Sequence, residues 1–88
     1  MTEKELEIAI EMMVDDVNWY SFIAERAKKR NLPMIEQDYF SRILGVDMAL
    51  SHLGYILKAD GIKADCGEGI EHIEYMHYKA VKDKELWK

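Results

Sequence analysis

The sequence contains few of the residues that interrupt regular structure or cross-link a chain. One proline and five glycines among 88 residues leave little material for hairpins and tight turns. The single cysteine, Cys66, excludes an internal disulfide framework and gives no indication of secretion. No apolar run approaches the roughly 20 residues that a membrane-spanning helix requires. These absences favour a folded domain made of long, uninterrupted elements.

Length and charge narrow the class of protein further. The chain is long enough for one domain, covering residues 1–88, and its 49% hydrophobic and 33% charged residues argue against disorder. A net charge of −5 disfavours nonspecific binding to DNA or to anionic membranes. The acidic N-terminus is unlike a signal or transit peptide. We therefore expect a cytoplasmic protein that binds neither membrane nor, in its ordinary role, nucleic acid.

The composition predicts an all-α fold, a small three-helix bundle whose N-terminal helix is long. Leu, Met, Ala, Glu, Lys and Ile dominate, and most of these residues favour helix. The first helix is predicted over residues 3–30, with Thr2 and Glu5 forming a capping box at its start. Asn31, which tolerates the left-handed conformation, and Pro33 are expected to end it. The second is predicted from about Met34 to Asp60, and the third from Gly69 to near the C-terminus. Two glycines affect the predicted extent of the second helix. Gly61 is expected to end it, and a break near Gly45 would give a fourth helix.

The first helix carries apolar side chains on two opposite faces. One face steps by four and three residues: Leu6, Ile10, Met13, Val17, Tyr20, Ala24 and Ala27. The other face comprises Ile8, Met12, Trp19 and Phe22, and these four residues together with Asp15 and Arg26 are the predicted interface. A helix on the surface of a small monomer needs one apolar stripe, so the second face predicts an interface with another molecule.

The charges of the first helix suggest what that molecule is. Six acids and one lysine give residues 1–16 a net charge of −5, whereas four bases and one acid give residues 17–30 a net charge of +3. The helix dipole explains much of this gradient. The same polarity would favour two such helices packing antiparallel, as a homodimer.

The sequence offers no recognisable set of catalytic side chains, and it predicts no cofactor. We therefore expect a non-catalytic protein-binding module: a small adaptor, inhibitor or regulatory subunit. Its partner would be a second copy of itself, another protein, or both.

Two alternatives rest on local patterns. Residues 40–60 place Ser41, Gly45 and Val46 at offsets that resemble a DNA-binding helix-turn-helix, but the segment is poor in cations. Glu74 and His77 have the Glu-x-x-His spacing that metal-dependent helical-bundle enzymes use in pairs, and only one such pair is present. A solvated glutamate beside a histidine at the edge of the core explains that spacing equally well.

Overall fold

The computed structural model describes residues 2–66 and 72–83. Within them the chain forms helix α1 (Glu3–Lys29), helix α2 (Pro33–His52), strand β1 (Tyr55–Cys66) and strand β2 (His72–Lys82). The strands pair antiparallel in a two-stranded sheet. The fold class is therefore α+β, and the prediction of an all-α three-helix bundle is wrong. Among the described residues, neither helix has the length and apolar character needed to cross a bilayer.

Helix α1 begins and ends as its sequence predicts. The Thr2 hydroxyl accepts a hydrogen bond of 3.1 Å from the Glu5 amide. At the other end Asn31 adopts a left-handed conformation, with φ of 60°, and the Leu32 amide donates to the Ala27 carbonyl at 2.8 Å. This arrangement satisfies carbonyls that the last helical turn would otherwise leave unpaired.

Helix α2 is shorter than predicted because a different glycine terminates it. It ends at His52, and Gly54 adopts φ of 83° while its amide donates to the Ser51 carbonyl at 3.1 Å. A left-handed residue at this position ends a helix, so the predicted continuation to Asp60 is wrong. Gly45 lies inside α2 without interrupting it, and the expected break with a fourth helix does not occur.

The segment predicted as a third helix contains strand β2. Its β-branched and aromatic residues fit a pleated, half-buried surface better than a helix: Ile73, Tyr75, Tyr78 and Val81. Ile73, Met76 and Ala80 of the same segment also fit the three-and-four steps of a helix, which is why periodicity alone misassigned it. The first and last parts of that predicted helix, residues 69–71 and 84–88, lie outside the described residues.

A β-bulge lies in the middle of the sheet. The pairing shifts between Ala59, which faces Tyr78, and Ile62, which faces Met76. Asp60 and Gly61 therefore lie opposite one residue, His77. Gly61 has φ of 90°, a conformation that side-chain-bearing residues rarely adopt. The glycine expected to end a helix instead permits this bulge.

The core lies between the helices and the sheet. Its buried apolar residues are Ile10, Val17, Phe22, Ile23, Ala24, Ala27, Ile43, Leu50 and Ile73. Four of them belong to the first face of α1, so that face points inward. The helices also meet through the rings of Tyr20 and Tyr39, whose centroids are 5.6 Å apart, and the Arg42 guanidinium lies 4.5 Å from the Tyr39 centroid.

Candidate protein-binding surface

Three large apolar side chains of α1 point away from the core. The exposed fractions of Ile8, Met12 and Trp19 are 49%, 63% and 55%. Steps of four and seven residues place them on one side of the helix, and the exposed Asp15 lies between Met12 and Trp19. We call this set, Ile8, Met12, Asp15 and Trp19, the outer strip of α1.

Phe22 belongs to the core rather than to the outer strip. It is 6% exposed, and its ring meets the Tyr75 ring edge-on with centroids 5.5 Å apart. Trp19 stacks against Phe22 at 5.6 Å, and the Arg26 guanidinium carbon lies 5.3 Å from the Phe22 centroid. Sequence reasoning grouped Phe22 with the outward residues because it did not foresee the strand that carries Tyr75. Phe22 therefore supports the Trp19 ring from the core, and Arg26 packs on Phe22.

Polar side chains of α1 determine which way the outer strip faces. The Asn18 side chain accepts from the Tyr78 amide at 2.7 Å and donates to the Tyr78 carbonyl at 3.1 Å. The Ser21 hydroxyl donates to the Met76 carbonyl at 2.7 Å. These bonds satisfy backbone groups on the edge of β2 that faces away from β1. They also hold α1 at one rotation about its axis, with Trp19 outward.

Sequence reasoning missed Asn18 and Ser21 as structural residues. A usable signal was present, since two small polar side chains three residues apart lie in the apolar middle of a long helix. Lys29 adds a third contact of the same kind, because its ammonium donates to the His72 carbonyl at 2.8 Å.

The structure separates the proposed metal-binding pair. Glu74 and His77 lie on a strand, where residues three apart point to opposite faces. The Glu74 carboxylate is 3.5 Å from the His72 ring, whereas the buried Nδ1 of His77 is 3.9 Å from an Asp60 carboxylate oxygen. The described residues contain no group of three or more His, Cys, Asp or Glu side chains placed to hold a metal ion. The helical geometry on which that hypothesis depended is not formed.

The helix-turn-helix pattern also lacks its geometry. Helix α2 runs unbroken through Gly45, and residues 55–60 belong to β1. What α2 does present is a second exposed apolar strip with four-residue spacing, formed by Phe40, Leu44 and Met48.

Comparisons of the chain with protein-family models, curated proteins and solved structures give no match. Function is therefore argued from the surface itself.

Proposed function

We propose that the chain is a cytoplasmic, non-catalytic protein-binding module that self-associates through the outer strip of α1. The exposure of Ile8, Met12 and Trp19 carries this proposal. Apolar surface removed from water stabilises a complex by roughly 25 cal/mol per Å² before the costs of association. Trp19 is suited to anchor such a contact, since tryptophan dominates many interfaces and Phe22 already holds its ring.

Charge supports a second copy as the partner. In an antiparallel arrangement centred between Asp15 and Asp16, positions whose numbers add to 31 face each other. Trp19 of each copy would then meet Met12 of the other. At the ends Arg26 would approach Glu5, so the basic half of each helix would lie along the acidic half of the other.

The test is the mass of the assembly in solution, measured by light scattering at micromolar concentration. We expect the wild-type chain to be larger than a monomer. Trp19→Asp should weaken association because it would place a carboxylate in the centre of the apolar contact. Leu44→Asp is the control, since it introduces the same carboxylate at an exposed apolar position on α2, outside the proposed contact.

A monomeric wild-type chain would refute self-association through α1. So would a Trp19→Asp variant that keeps its helical circular dichroism and associates as strongly as Leu44→Asp.

A further inference from the structure

The two edges of the sheet differ in how they are covered. Helix α1 covers the outer edge of β2 through Asn18 and Ser21. In the described part of the chain, no strand pairs with the outer edge of β1. Residues 58–64 of β1 are all exposed. An uncovered edge of this length is a template for pairing with another strand.

The contacts of β2 show which peptide groups of β1 point outward. Tyr78 and Met76 direct backbone groups toward α1, away from β1. Two residues that face each other in an antiparallel ladder either both direct their peptide groups toward each other or both direct them outward. Ala59 and Ile62, the partners of Tyr78 and Met76, must therefore direct their peptide groups away from β2. The same alternation makes the groups of Ala64 point outward.

The charges along this edge are self-complementary. The tripeptide Lys-Ala-Asp occurs at residues 58–60 and again at 63–65, separated by Gly61 and Ile62. When two copies pair antiparallel with position numbers that add to 123, Asp60 of each copy faces Lys63 of the other. Opposite charges then face each other at both of these pairs, which favours pairing between the strands.

The backbone agrees with this register. Positions 59 and 64 face each other in it, and both direct their peptide groups outward, so hydrogen bonds can form between the copies. Ile62, which is highly exposed, would lie across Gly61. A register displaced by two positions, with numbers adding to 121, also aligns outward groups but sets Lys58 against Lys63. Charge therefore selects between the two registers.

We infer that the outer edge of β1 is a second self-association surface, where two copies join their sheets into one antiparallel four-stranded sheet. Lysines on an edge strand ordinarily discourage pairing, because an incoming strand leaves their charges unmatched. Here a second copy supplies Asp60 opposite Lys63. This inference is independent of the outer strip of α1, and both contacts acting together produce an assembly larger than a dimer.

Amide hydrogen exchange in the full-length wild-type chain tests the edge directly. The amides of Ala59 and Ala64 have no partner strand within one described chain, so they exchange rapidly from a monomer. We expect them to become slow at concentrations where the chain assembles. Rapid exchange at both positions in the assembled protein overturns the inference.

A proline substitution provides the second test. Ala64→Pro removes an outward amide and leaves the inward hydrogen bonds of β1 in place, as proline permits on an edge strand. In a Trp19→Asp background we expect the mass to fall from two chains to one, whereas Ala64→Ser leaves it at two. Equal masses for the proline and serine variants contradict the inference.

A charge variant separates this contact from the contact through α1. Lys63→Glu sets two acids against each other across the β1 edge and should lower the mass in the Trp19→Asp background. Lys82→Glu makes the same change at an exposed position of β2 and should not. If Trp19→Asp alone is already a monomer, the β1 contact is refuted and the contact through α1 stands.

Discussion

At the scale of single residues, the polar groups that hold α1 against β2 are the most informative. Ser21 is 2% exposed, which is unusual for a polar residue in a small domain, and it is buried because the Met76 carbonyl needs a donor. A strand edge placed against a helix cannot use water for its peptide groups. Its stability therefore depends on side chains such as Ser21 and Asn18.

Ser21→Ala tests this dependence. The substitution leaves the partly buried Met76 carbonyl without its 2.7 Å donor, and we expect it to lower the free energy of unfolding by about 1–2 kcal/mol. Ser41→Ala is the control, because its hydroxyl bonds to the Gln37 carbonyl on the exposed side of α2. Urea unfolding measures both changes. Equal effects of the two substitutions would contradict the assigned role of Ser21.

At the scale of elements, the end of α2 decides whether this is a helical bundle or an α+β protein. The helix stops because Gly54 takes a left-handed conformation, and β1 begins at the next residue. Gly45 lies within α2, and a Cβ at its position would meet nothing within 4 Å. Of the two glycines, Gly54 therefore ends the helix, whereas Gly45 is accommodated inside it.

Alanine substitutions at the two glycines should change stability in opposite directions. Gly54→Ala forces a side chain into the left-handed region and should destabilise the fold by about 1–2 kcal/mol. Gly45→Ala should stabilise it by about 0.5–1 kcal/mol, since alanine is the better helix former and space is available. Thermal and urea unfolding would show both effects. A change of the same sign at both positions would argue against this end of α2.

The outer strip of α1 contains one residue that opposes the proposed contact. In an antiparallel pair centred near Asp15, two carboxylates approach each other across the axis. Asp15→Asn should therefore tighten self-association by about 0.2–1 kcal/mol, the range found for exposed charge pairs. Asp38→Asn removes the same charge from α2 and should have no such effect. Sedimentation equilibrium compares them, and weaker association of Asp15→Asn would rule out that centre.

At the scale of the whole molecule, the chain has more surface than a compact monomer. Its accessible area is 6506 Å², against about 5,400 Å² expected for its mass. Its radius of gyration is 14.5 Å, against about 12 Å for a compact domain of this length. The excess is consistent with surfaces that assembly covers.

Stability should consequently depend on protein concentration. Association of folded chains stabilises the folded state by mass action, so the melting temperature should rise as the wild-type chain is concentrated. The Trp19→Asp, Ala64→Pro double variant should melt at one temperature across the same range. A wild-type melting temperature independent of concentration would exclude assembly linked to folding.

The sequence by itself determined α1, its capping and its two-sided character. Those features depend on residues within one or two turns of each other, as at Thr2, Glu5 and Asn31. Sequence reasoning also identified Ile8, Met12 and Trp19, since helical spacing is enough to group them on one face.

Only the tertiary structure decided that β1 and β2 form strands rather than helix, and that Phe22 is buried. Strand β1 pairs with β2 through contacts between distant residues, and β2 is completed by side chains of α1 some 55 to 60 positions earlier. A local pattern of apolar residues cannot reveal which distant residues will pair. The spacing of apolar residues in β2 was also compatible with both a helix and a strand. The open edge of β1, with its self-complementary charges, became visible only once a strand was known to be there.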